Sequence, residues 1–223
     1  MKIGRLLLFW LMLSNSILSQ NSYQLAVLKY KGGGDWYANP SSLKNLAIFC
    51  NKYLNMNIDE SYNVIEPNSQ DLFDYPFIYM TGHGNVLFTN SDVENIRKYL
   101  LGGGFLHIDD NYGMDKSFRR ELSRLFPNKD LVILPNDHAI FSSFYLLKRG
   151  LPKIHEHDNM PPQALGLFEK NRLILLYTYE SDLGDGWETD EEHLRITGTK
   201  LDYNKKLNAL KMGTNIIIYA LTH

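Results

Sequence analysis

Short apolar runs that end on glycine or acid, separated by stretches with helical spacing, constrain this chain more than any other feature. Residues 23–29 lead into Lys31-Gly32-Gly33-Gly34-Asp35-Trp36-Tyr37, and residues 77–80 into Thr81-Gly82-His83-Gly84. Residues 105–108 end on Asp109-Asp110, residues 131–134 precede a loop with Asp137-His138, and residues 173–179 form a further run. Each is short and mostly apolar, as a strand buried on both faces is expected to be. A shorter extended piece is expected over 62–65.

The intervening segments carry helix signals. Asn39-Pro40-Ser41 opens a stretch with Leu43, Leu46, Ala47 and Cys50 on one stripe. Ser91 with Glu94 reads as a capping box for a helix carrying Val93, Ile96, Tyr99, Leu100 and Leu101, and Gly102-Gly103-Gly104 stops that helix. Further helices are expected over 117–125 and 203–221. Strands alternating with helices argue for an α/β fold with a parallel sheet covered on both faces, in a single domain. A length of 223 residues suits one good-sized domain.

The first twenty residues differ in kind. Lys2 and Arg5 precede an apolar run at 6–13, followed by Ser14, Asn15, Ser16 and Ser19. Positive, then apolar, then small is the pattern of a secretory signal, so residues 1–19 are expected to be a signal peptide. Residues 20–223 are then the exported domain, periplasmic or extracellular, with no permanent membrane span after cleavage. A net charge of −2 and the lack of a dense Lys/Arg run argue against nucleic acid as a partner. One cysteine excludes an internal disulfide, and its place on a helical stripe makes Cys50 a buried hydrophobe.

In an open parallel sheet, ligands bind beyond the carboxyl ends of the strands. The polar clusters named above fall there, which makes Asp35, Trp36, Asp110, Tyr112, Asp182, Asp185 and Trp187 candidates for a ligand-binding rim. Trp187 is expected to pack as a lid over it. His83, set between two glycines after a strand, sits as the projected residue of a nucleophile elbow would. It reads either as a general base or metal ligand, or as a histidine held by turn hydrogen bonds. Asp109 and Asp110 point to opposite faces, so one at most faces a given pocket. They serve as acid/base or ligand groups, or as caps for the backbone that follows. His138 completes a candidate set of His83, Asp109 and His138, since two histidines and a carboxylate make a sound zinc or iron shell. His155-Glu156-His157-Asp158 looks metal-like, but no regular spacing holds it together, and a solvated loop is the expectation. The acids from Asp182 to Glu192 lack the ligand pattern of an EF-hand loop.

Several of these segments, taken in order, resemble the bacterial domain-of-unknown-function 4159 family. They are Tyr79-Met80-Thr81-Gly82-His83-Gly84, Leu101-Gly102-Gly103-Gly104-Phe105, Asp109-Asp110-Asn111-Tyr112-Gly113, Phe118-Arg119-Arg120-Glu121-Leu122, Leu125-Phe126-Pro127, His138-Ala139-Ile140-Phe141 and Asp182-Leu183-Gly184-Asp185-Gly186-Trp187. The resemblance covers residues 25–221 and implies a flavodoxin-like sheet similar to class I glutamine amidotransferases. It supplies no activity. Ala139 stands where the family pattern has proline. Amidotransferases place a cysteine at the elbow, where this chain resembles them with His83, and no His-x-Glu pair follows. Glutamine hydrolysis through a thioester is therefore not expected.

Two functions follow as expectations. One is a ligand- or partner-binding module of the cell envelope, taking a small molecule, glycan or envelope protein. The other is a metal-assisted or His/Asp-dependent hydrolase or lyase acting on a carbohydrate-like substrate. The sequence identifies no cofactor.

Overall fold

The structure, a computed structural model, describes residues 22–223. The signal peptide expected over residues 1–19 lies outside the described residues. Seven strands form one sheet: β1 (Tyr23–Leu28), β2 (Ile58–Ile65), β3 (Phe77–Gly82), β4 (Phe105–Asp110), β5 (Val132–Ile133), β6 (Gln163–Glu169) and β7 (Arg172–Tyr179). Their order is β2-β1-β3-β4-β7-β6-β5. The first five pair in parallel, and β6 runs antiparallel to both its neighbours. Counting β7 as the fifth parallel strand, the order is the flavodoxin-like 2-1-3-4-5. This is a single α/β domain of flavodoxin-like type.

Six helices accompany the sheet: α1 (Ser42–Leu54), α2 (Asn90–Leu101), α3 (Asp115–Leu125), α4 (Leu183–Trp187), α5 (Asp190–Thr197) and α6 (Tyr203–Thr222). Strand alternation divides the core in two. Phe77, Tyr79, Phe105 and Leu176 face α1, α4 and α6, burying Leu46, Cys50, Trp187 and Ile216. Ile78, Met80, Ile108 and Tyr177 face α2 and α3, burying Ile96, Leu100, Phe118 and Leu122. Every residue of β3 and β4 is buried, which is why these runs lack polar alternation. Among the described residues, no helix is long and apolar enough to cross a membrane.

The expected elements are present, with three differences. The α2 capping box is Thr89 with Asp92, two residues before the expected Ser91–Glu94 pair. Thr89 and Asp92 satisfy each other's backbone N–H groups, and a start at Asn90 sets Val93, Ile96 and Leu100 on the core face. Strand β6 has no counterpart in the sequence reading, because Gly166 interrupts a run of only four buried residues. Helix α5, like the short α4 before it, falls in the acidic stretch 182–192, where no helix is expected. Its cap is Thr189, whose hydroxyl accepts from the N–H of Glu192, and its first-turn acids suit the positive end of the helix dipole.

Candidate functional site

The strand order reverses between β1 and β3, so their carboxyl ends flank the crevice where such sheets bind ligands. The loop after β1 carries Asp35 to Asn39, and the turn after β3 is Gly82-His83-Gly84. Gly82 has φ +135°, and a Cβ there would lie 2.4 Å from the Tyr30 hydroxyl. Only glycine lets this turn close over Tyr30 and the Asp35 backbone. The loop backbones are pinned together, with Gly34 N–H donating to Asn85 O at 3.0 Å and Asp35 N–H to His83 O at 3.3 Å.

This closure makes a pair of the two side chains. Asp35 accepts from the backbone N–H of His83 and lies 3.0 Å from its ring Nδ1. A carboxylate only accepts, so the Nδ1 carries the proton and the Nε2 is left as a base. The imidazole is about half exposed, at 54%. The reading of His83 as a histidine held by turn hydrogen bonds is the one seen here, and the hold orients the ring.

Asp35 and His83 line one wall of a cleft of about 650 Å3, a size suited to a small organic ligand. Tyr37, Asn39, Asn111, His155 and Asp185 line it as well, with Arg195 from α5. Asn39 ties the floor together. Its amide donates to Asp185, while its carbonyl accepts from Asn111 and, at 3.4 Å, from the Thr81 hydroxyl.

Asp109 and Asp110 separate to opposite faces, as strand geometry requires, and both are buried. Asp109 accepts from Thr178 Oγ1 at 2.5 Å, Leu183 N–H at 3.2 Å and Gly184 N–H at 2.7 Å. These bonds anchor the start of α4 and leave Asp109 no opening to the cleft. Burial pushes its carboxyl up to about 6 against the opposing hydrogen bonds. Thr178 spends its one proton on Asp109, so His107 Nε2, 3.0 Å away, is the donor in that contact. Burial drives the His107 pKa down to about 3 and keeps that ring neutral. Asp110 accepts from Met114 N–H at 3.1 Å, the capping role open to it from sequence.

His138 does not join the set expected from sequence. Its ring lies 5.6 Å from that of Tyr219, which in turn packs 6.2 Å from Phe105. Phe105 begins β4 and Asp109 nearly ends it, a separation of about 13 Å along the strand. His138 Nδ1 accepts from the N–H of Ile140 at 3.2 Å, so it caps the turn over Ala139–Phe141. Trp187 is also displaced from its expected place: it is fully buried, against Tyr79 and His107, and forms no lid over the rim. Trp36 packs half-buried against the core beside Tyr37.

The sequence reading placed His155 and His157 in a solvated loop, and both instead face the acids after β7. His155 Nδ1 lies 2.8 Å from Asp185 Oδ2, and His157 Nε2 lies 2.5 Å from Asp182 Oδ2. Tyr112, at φ +81°, stacks on the His157 ring with centroids 4.6 Å apart. Burial, followed by the charges of Asp109, Asp185, Asp110 and Glu180, pushes the Asp182 carboxyl up to about 9. Burial acts on Asp185 too, but the hydrogen bond and charge of His155 outweigh it and leave that carboxyl lower than usual. The alternate histidines were the sequence signal; the acids that hold them are some 25 residues further on and met only in the fold.

These features define a flavodoxin-like α/β domain with an acidic, histidine-bearing cleft at its topological switch point. The chain belongs to the family described as Domain of unknown function (DUF4159), whose model matches residues 24–221. None of the curated proteins compared with the chain matches it.

Proposed function

We propose that this protein is an exported binding module of the cell envelope that holds a small polar, carbohydrate-like ligand in the switch-point cleft. The observation that carries this reading is the cleft itself, bounded by Asp35, His83, Asn39 and Asn111. Side-chain amides, carboxylates and imidazole suit a ligand rich in hydroxyl groups, and the exposed Tyr37 offers an aromatic face. Export rests on the charged, apolar and small-residue order of the first twenty residues. A distant relation to class I glutamine amidotransferases belongs to the same reading and is supported by the strand order and the Gly-His-Gly turn.

One observation favours the hydrolase or lyase alternative. Asp35 fixes the proton of His83 on Nδ1, which prepares Nε2 as a general base toward the cleft. The test is calorimetry of the exported domain against a panel of mono- and oligosaccharides, with product analysis of each mixture. Binding lost in His83→Ala without turnover in the wild type supports the module, whereas turnover lost in His83→Ala selects the hydrolase. Binding that His83→Ala and Asp35→Asn leave unchanged refutes both.

A further inference from the structure

We propose that His155, His157 and Asp182 form a binding site for a divalent transition metal of the zinc class on the wall of the cleft. The three residues each present a ligand atom, and these atoms lie within 4.8 Å of one another. Two imidazoles and one carboxylate are a donor set suited to zinc or iron(II), with further positions left for solvent or ligand. Metal–ligand bonds of about 2.0–2.1 Å in a tetrahedral shell set donor atoms about 3.3 Å apart. The present spacings bracket that value, at 2.5 Å from His157 Nε2 to Asp182 Oδ2 and 3.8 Å from His155 Nδ1 to the same oxygen. Rotations of the two partly buried imidazoles by a few tenths of an ångström to about 1 Å at the nitrogen would close the shell around an ion.

A second observation points independently to a cation. Asp182 is 1% exposed, and its Oδ1 is buried without a hydrogen-bond partner. A buried carboxylate oxygen left unpaired is costly. Asp109, Asp110, Glu180 and Asp185 all act electrostatically on Asp182, and the Lys153 ammonium that pairs with Glu180 is shared with Glu156. A divalent ion bound by both Asp182 oxygens would supply the missing positive charge and a partner for Oδ1 together.

The surroundings are those of ligands held in place. Asp185 Oδ2 lies 2.8 Å from the same His155 Nδ1, within reach of the ion as a further carboxylate ligand. The Tyr112 ring stacks on His157, and the Tyr112 hydroxyl is held 3.1 Å from Asp158 Oδ1. His155 also lines the cleft, so an ion here would border the space that the ligand occupies.

The test uses zinc alone and does not depend on the cleft ligand. The exported domain, stripped of metal, is titrated with zinc by calorimetry, and its content after gel filtration is measured by mass spectrometry. The expected result is one zinc per chain. His157→Gln and His155→Gln, shown by circular dichroism to be folded, should each weaken affinity by about 100-fold or more. Asp182→Asn should also lose the ion, and the two histidine variants decide the matter should it fail to fold. No stoichiometric zinc in the wild type, or equal uptake by the folded histidine variants, overturns the proposal while leaving the ligand reading intact.

Discussion

Replacing Trp187 by alanine separates a buried anchor from a rim lid. The side chain is fully buried, its Nε1–H donates to Ala209 O at 2.8 Å, and its ring packs 5.3 Å from Tyr79 and 5.7 Å from His107. It ties α4 to both the sheet and α6. Truncating such a side chain costs about 3–5 kcal/mol, since the cavity left by an indole cannot fully collapse. For a domain of this size, each kcal/mol lowers Tm by about 2–4 °C, so the expected fall is about 6–20 °C. Trp187→Phe keeps most of the apolar contact and loses the N–H donor, at about 1–2 kcal/mol. The assay is thermal and urea unfolding followed by circular dichroism, with tryptophan emission as a second probe. Trp187 is buried while Trp36 is only partly so, and loss of Trp187 should therefore shift the remaining emission to the red. A variant that melts within about 2 °C of the wild type would refute the anchor and restore the lid.

Three further outcomes follow from the same geometry. Gly82→Ala forces a Cβ to within 2.4 Å of the Tyr30 hydroxyl at a φ of +135° and should cost about 2–3 kcal/mol in urea unfolding, with ligand binding reduced in parallel. Asp35→Asn should leave stability within about 1 kcal/mol, because the pair is partly exposed to screening solvent, yet weaken ligand affinity measured by calorimetry. Burial pushes the Glu188 carboxyl up to about 7, so the folded state keeps a proton that the unfolded chain has lost. Its stabilising contribution is full below about pH 4.5 and is lost as pH rises through about 7, by at most about 3 kcal/mol. Glu188→Gln, which keeps an acceptor for the Ser41 N–H, should give a shallower fall in urea midpoint between about pH 5 and about pH 8.

The sequence carried the central architecture because the central strands are buried on both faces and their helices bear clear stripes. Ile78 and Met80 look to one layer, Phe77 and Tyr79 to the other, and so the whole run is apolar. Strand β6 escaped because pairing with β7, rather than its own composition, makes it a strand. Helix α5 was legible in principle from Thr189 and Glu192, but its acids were weighed only against an EF-hand pattern and not as dipole partners. At the site, Asp35, His83 and Asp185 meet in one cleft because each follows a strand whose carboxyl end reaches the rim. His138 follows a strand too, yet it caps the next turn and packs against Tyr219 of α6, away from the cleft residues. His155 and His157 belong to no regular element, and only the acids after β7 give them fixed places.

Diffraction from crystals of residues 22–223 soaked with a mixed set of monosaccharides and disaccharides tests the switch-point cleft most directly. The account predicts ligand density between Asp35, His83 and Asn39, with hydrogen bonds to the His83 ring, and its disappearance in His83→Ala crystals. Density that settles instead in the groove beside Lys148, Arg149 and Lys205, with the cleft left to solvent, would contradict it.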